Sequence, residues 1–296
     1  MRRLALTLLT VAIPVAVVVV LAFGLAACGG DGSSGSTPTA TVTVTATPTA
    51  GPTEEPSATM TVSLYFLRGE TLGVAHRAVP ASAAPATAAM TALLSGPDAR
   101  ERAAGLGTTI PEGTTLNRLT IKDGVARVDL SGEFASGGGS LSMQARVTQV
   151  VYTLTQFRTV KAVDFVLDGE AVEALGGEGL VLEPGQRRCD WTDLLPAIFV
   201  ESPAVGDVVT TPQLTLRGSA SVFEATFVAE IIAAGEVVAD KTVTAREGAP
   251  GRGGFVARVA LPALTVKGRL VVYEVSMADG SRMNVVRIPL RFAVAD

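Results

Sequence analysis

LNRLTIKDGVARVDL, Leu116–Leu130, is two alternating apolar and polar runs split by Lys122-Asp123-Gly124. Alternation of this kind has the period of a half-buried strand, and Asp-Gly between two such runs supplies the positive-φ turn of a hairpin. On both sides the period changes. Downstream of the loop Ser136-Gly137-Gly138-Gly139, the stretch Leu141 to Phe157 sets Val147, Val150, Val151 and Leu154 at helical spacing. Ala162–Leu167 then returns to a strand that turns at Asp168-Gly169. Upstream, Thr61–Leu67 reads as a strand and Gly73–Val79 as a looser one. ATAAMTALLSGP reads as a helix that begins near Pro85 and stops at Gly96-Pro97, with Met90, Leu93 and Leu94 on its apolar face. A polar connection containing Arg100, Glu101 and Arg102 follows. Strand, strand, helix, strand, strand, helix, strand predicts an α+β sandwich with its helices on one face of a small sheet.

The remaining part of the chain loses the helical period. Ile198–Val200, Gln213–Arg217, Phe223–Ile232, Glu236–Val243, Gly254–Val259, Arg269–Ser276 and Val285–Phe292 alternate or carry β-branched runs, with turn signals at Pro203, Gly206 and Ala278-Asp279-Gly280. That many short strands in roughly 100 residues predicts an all-β immunoglobulin-like sandwich. It lacks the cysteine pair of antibody domains. The chain has two cysteines, Cys28 and Cys189, so disulfides within the chain do not hold the fold. Cys189 is expected to sit half-buried as a small hydrophobe.

The N-terminal part has a different character. Arg2-Arg3 precede an apolar run from Leu4 to Leu25, and the small residues Ala26-Ala27 stand before Cys28. A basic start, an apolar core and a small-residue site make a secretory signal. Leu25-Ala26-Ala27-Cys28 resembles the bacterial lipobox, which implies cleavage before Cys28 and a diacylglycerol on its sulfur. Two acyl chains, at about 0.8 kcal/mol per buried CH₂, make a stable anchor. The same run is long enough to span a bilayer uncleaved, and both readings put the folded part outside the cytoplasm. From Gly29 to about Thr59 the composition falls to Gly, Ser, Thr, Pro and Ala. Such a segment buries too little apolar surface to offset its ordering entropy and is expected to be a disordered tether. The expected layout is therefore a lipoprotein signal peptide over 1–27, a tether over 28–59, an α+β domain over 60–183, a linker over 184–195 and a β domain over 196–296.

Charge narrows the function. The chain is 296 residues with a formal net charge of -4, and Met60–Leu195 carries 12 basic against 15 acidic residues. From Pro196 to Asp296 the numbers are 10 and 10. Neither part has the basic excess of a nucleic-acid binder, and aromatic residues are only 5%, which disfavours stacking platforms.

Several ordered segments carry a resemblance. ALLSGP at Ala92–Pro97, TIPEGTTL at Thr109–Leu116, VARVDLSGEF at Val125–Phe134, QVVYTLTQF at Gln149–Phe157 and VDFVLDG at Val163–Gly169 resemble the GerMN domain of spore-germination and sporulation lipoproteins. ESPAVGDVVTTPQLTLRGSASVFEATF at Glu201–Phe227 and YEVSMADGS at Tyr273–Ser281 are similar to the immunoglobulin-like spore germination domain called Gmad2. The resemblance implies a ring-building-module-like α/β unit followed by an immunoglobulin-like module. It also implies a non-enzymatic envelope protein that works by protein–protein contact, in sporulation, germination or envelope assembly.

The candidate chemistry is thin. His76 is the sole histidine and has no cysteine near it, so the usual zinc ligand sets are missing. Ser95-Gly96 and Ser131-Gly132 lack the preceding glycine of a nucleophile elbow. Gly137-Gly138-Gly139 lacks the Lys and Ser/Thr of a phosphate loop, and reads as a flexible connector. Asp129 with Glu133, and Asp164 with Asp168, are carboxylate pairs of a kind that glycoside hydrolysis uses, yet they lie on strands or at turns, where turn chemistry accounts for them. Glu224 lies in Ser221-Val222-Phe223-Glu224. Phe223 and Phe227 are expected to face inward on a strand and Glu224 outward, as a structural or contact residue. Trp191, the sole tryptophan, fits an interdomain seam or a binding hot spot. The expectation is a protein with no catalytic residues, no cofactor and no metal. Cys28 would be its lipidation site, and the membrane, envelope proteins or a second copy its partners. A peptidoglycan or cell-wall glycan binding module is the alternative.

Overall fold

The computed structural model describes residues 58–177 and 179–295. Cys28, the signal and the tether lie outside the described residues. Strand β1 (Thr59–Arg68) and β2 (Thr71–Pro80) form an antiparallel hairpin in which Arg68 opposes Thr71 across the Gly69-Glu70 turn. Helix α1 (Pro85–Leu94) starts on its proline and buries Ala86, Ala89, Met90 and Leu93. A short helix α2 (Ala99–Ala103) then occupies the stretch read as a polar connection. Its cause is local. The Asp98 carboxylate accepts from the Glu101 N–H at 2.7 Å and the Glu101 carboxylate accepts from the Asp98 N–H at 2.7 Å, a reciprocal capping box. Glu101 is fully buried and is neutralised by Arg77, which also donates to the carbonyls of Ala92 and Gly96.

The short β3 (Leu106–Gly107) pairs with β1, so the first sheet runs β2-β1-β3. β4 (Leu116–Lys122) and β5 (Val125–Leu130) form the expected hairpin, with Lys122 opposite Val125 and positive φ at Asp123 and Gly124. Helix α3 (Ser140–Leu154) carries the chain to β6 (Ala162–Leu167), which pairs parallel to β5. β7 (Glu170–Ala171) completes a second sheet, β4-β5-β6-β7. The strands thus divide between two small sheets where one was expected. Helices α1 and α3 supply what lies between, with Val147, Val150, Val151 and Leu154 of α3 fully buried. Each such side chain contributes about 1.5–3 kcal/mol on burial. β8 (Ala174–Leu175) and β9 (Leu180–Val181) make a small hairpin before the linker.

The second part is a sandwich. β10 (Ile198–Ser202), β12 (Gln213–Ala220) and β15 (Gly253–Ala260) form one sheet. β11 (Val208–Val209), β17 (Arg282–Val294), β16 (Leu264–Val275), β13 (Thr226–Ala233) and β14 (Glu236–Thr244) form the other, in that order. Alternation is clean in β15, where Phe255, Ala257 and Val259 are buried and the residues between them are exposed. Phe227 and Phe255 meet across the core at 4.9 Å in an edge-to-face pair.

One expectation fails here. Phe223 and Glu224 are not on a strand. Phe223–Ala225 is a single 3₁₀ turn with positive φ at Glu224 and Ala225, and Phe223 is 57% exposed. Glu224 is exposed as well. The turn is fixed by remote backbone: Ala245 N–H donates to the Ala225 carbonyl and Ala249 N–H to that of Val222.

Candidate functional site

The described residues form one compact unit, and its two halves meet along β2. Leu72 N–H donates to the Leu194 carbonyl at 2.7 Å, and His76 N–H to the Val205 carbonyl at 2.8 Å. Val205 N–H returns a bond to Val74 at 3.2 Å. The loop that follows β10 therefore adds to the free edge of the first sheet. Gly206 permits this approach. Its φ is +106°, and a Cβ there would stand 2.4 Å from the His76 carbonyl oxygen. Beside it His76 Nδ1 lies 2.8 Å from an Asp207 carboxylate oxygen, and the other oxygen accepts from Ala204 N–H at 2.9 Å. His76 is thus an interdomain tie.

Arg188, in the linker turn, is the centre of the seam. It donates to Glu201 at 2.6 Å, the Tyr65 hydroxyl at 2.9 Å, the Tyr152 carbonyl at 3.0 Å and Thr155 Oγ1 at 2.8 Å. Its guanidinium lies 5.1 Å from the Tyr65 ring centroid and 4.7 Å from that of Tyr152, within cation–π range. The Tyr65 hydroxyl donates to Glu201 at 2.6 Å. Around this network pack Leu67, Leu72, Val74, Leu194, Phe199 and Ala204. Burial, first, and the Glu201 carboxylate push the Tyr65 phenol far above its usual range. Burial likewise pushes the Tyr152 phenol up to about 12. Burial alone would lower Arg188, but Tyr65 and Glu201 outweigh it and hold the cation more firmly charged.

Trp191 is partly buried against this cluster, and its Nε1–H donates to Gln186 at 2.8 Å. Cys189 is exposed, contrary to the half-buried expectation. It sits on the outer side of the same one-turn helix that turns Arg188 inward. A cleft of about 370 Å³ opens along the seam, between Leu72, Val74, Ile198, Val200 and Val286, with Arg68 at its rim. Arg68 donates to the Arg287 carbonyl at 2.7 Å while its Nε–H is buried without an acceptor.

The carboxylates weighed for catalysis are occupied. Asp168 accepts from Gly132 N–H at 2.9 Å, Asp129 from Gly169 N–H at 3.2 Å and Asp164 from Gly185 N–H at 2.7 Å. The glycine loop is pinned rather than flexible: buried Arg146 gathers the carbonyls of Phe134, Ser136 and Gly137 at 2.7–2.8 Å. Its carbonyls face a cation, the reverse of an anion cradle. Among the described residues no cluster of three His, Cys, Asp or Glu side chains could hold a metal ion, and no helix is long and apolar enough to cross a membrane.

Comparison with known proteins gives two matches in chain order. Residues 63–173 match the Germane family, described as sporulation and spore germination, and residues 197–281 match Gmad2, the immunoglobulin-like domain of bacterial spore germination. Among solved structures, the chain is similar to the first GerMN domain of the sporulation protein GerM from Bacillus subtilis. Identity there is 25%, over 44% of this chain and 99% of that one, with a TM-score of 0.37. The tandem GerMN domains of the same protein match at 19% identity over 69% of this chain and 62% of that one, with a TM-score of 0.41. No curated protein matches.

Proposed function

From a chain that carries a Germane domain followed by a Gmad2 domain, we propose a non-enzymatic envelope protein, tethered outside the cell by a lipid on Cys28. It acts in sporulation or germination assemblies by presenting its two domains as one rigid contact body. What supports this reading is the use to which its reactive side chains are put. Asp129, Asp164 and Asp168 cap turns, His76 and Asp207 tie the domains, and Glu201 with Tyr65 is committed to Arg188. No free nucleophile and base face each other across the seam cleft. Rigid two-domain bodies suit assembly because partners meet a surface already ordered, without the cost of fixing a hinge.

The experiment is crosslinking in intact cells with mass-spectrometric identification of the captured chains, run beside Cys28→Ala. Envelope proteins or a second copy are expected to be captured. Incorporation of labelled fatty acid is expected in the parent and absent in the variant. Unchanged labelling in Cys28→Ala overturns the anchor. A soluble cytosolic set of captured chains overturns the envelope role.

A further inference from the structure

The β domain is neutral in total, yet its cations are not spread evenly. On the outer face of the five-stranded sheet, Lys267 stands directly opposite Arg291, Arg269 opposite Pro289, and Arg287 opposite Val271. All four cations are exposed, and none has an ion pair or side-chain hydrogen bond among the described residues. Like charges directly opposed on two strands destabilise a sheet. Arg100 of α2 reaches the same place: with Lys267, Arg291 and Pro289 it lines a cleft of about 240 Å³, and its closest carboxylate, Asp98, is a loose 3.8 Å away. The acid at that cleft, Asp207, is already held by His76 and the Ala204 N–H. Four cations without an ion pair among the described residues thus form a track along β16 and β17, with the loosely paired Arg100 of α2 at its end, on a chain of net charge -4.

We propose that this track binds a linear polyanion whose repeat is a phosphodiester on a short polyol link. The shape of the charge decides against a membrane surface. The β13–β14 half of the same face carries the exposed Asp240, opposite a buried Glu230 that Arg282 and Tyr273 already hold, so a flat anionic sheet laid across the face would meet carboxylate charge at Asp240. A narrow chain along β16–β17 avoids Asp240. The absence of exposed aromatic side chains on the track removes the stacking that single-stranded nucleic acid uses. Cations two residues apart on a strand are about 6.7 Å apart. That spacing suits phosphates separated by a three-carbon link and exceeds the separation in inorganic polyphosphate.

The test uses the full chain in a neutral detergent, with poly(glycerol phosphate) as the probe and anionic phosphatidylglycerol nanodiscs and inorganic polyphosphate as the other arms. Binding to poly(glycerol phosphate) is expected to weaken on the order of a hundredfold between 50 and 200 mM salt if all five cations engage. Lys267→Gln with Arg291→Gln is expected to lower affinity about tenfold and to flatten the salt slope by about 1.4. Arg217→Gln with Arg258→Gln, two exposed cations on the other sheet, is the charge-matched control and is expected to leave both unchanged. The proposal is overturned by no binding, by an equal loss in the control pair, or by tighter binding to nanodiscs or inorganic polyphosphate.

Discussion

Replacing Arg188 by methionine keeps most of its apolar stem and removes its charge. Four donated hydrogen bonds are lost, one of them to a carboxylate, together with two cation–π contacts. A bond to a charged group is worth about 1.5–3 kcal/mol and a neutral one about 0.5–1.5 kcal/mol. Those contributions are not additive, and Glu201 is about one-third exposed and can regain water. The discounted expectation is a loss of about 3 kcal/mol. For a unit of this size that is a fall in Tm of roughly 6–12 °C. Scanning calorimetry on residues 54–296 measures it, with Arg217→Gln as a surface control expected within about 0.5 kcal/mol. A double-mutant cycle with Glu201→Gln should return a coupling of about 1–2 kcal/mol. If Arg188→Met lowers Tm by less than about 2 °C relative to the control, the seam does not depend on this residue and the reasoning fails.

Alkali is expected to act on the same place. The Tyr152 phenol has its folded pKa raised to about 12 from an ordinary value near 10. Its contribution is therefore whole below about pH 10 and lost as pH climbs through 12; Tyr65→Phe with Tyr152→Phe should flatten that decline in a pH series of urea midpoints. Gly206→Ala must move the His76 carbonyl as well as adopt a positive φ, and should cost more than about 2 kcal/mol in urea unfolding. Cys189 is exposed, so one equivalent of a thiol reagent should react with residues 54–296 before denaturant is added; protection until unfolding would show a buried sulfur.

What could be read along the sequence was local. Asp123-Gly124 and Asp168-Gly169 both form two-residue hairpin turns with positive φ at each position, because only the backbone next to them matters. The helix α2 was equally local: Asp98 and Glu101 at cap spacing signal it, but the charges around them read as a loop. The Phe223 turn was not local. Its partners, Ala245 and Ala249, come from a loop twenty residues on, and alternation in the sequence continued straight through it. The seam was the least legible part. Trp191 pointed to it by type alone, whereas Arg188 and Glu201 lie 123 and 136 positions from Tyr65 and the three belong to no motif. The cationic track had no signature either, since the charge balance of the β domain is even and only strand register puts Lys267 beside Arg291.

The bond pattern along β2 has a practical bearing on truncation. That strand gives one flank to β1 and the other to Leu194 and Val205. A gene fragment ending at 183 would strip off the second flank and uncover Leu72 and Val74 with it. Such a product should come out of purification sticky, recruiting stray strands to a raw border. Shuffling this module into a new host would then require carrying along the docking loop from its neighbour, which weds the two halves as a single inheritable piece.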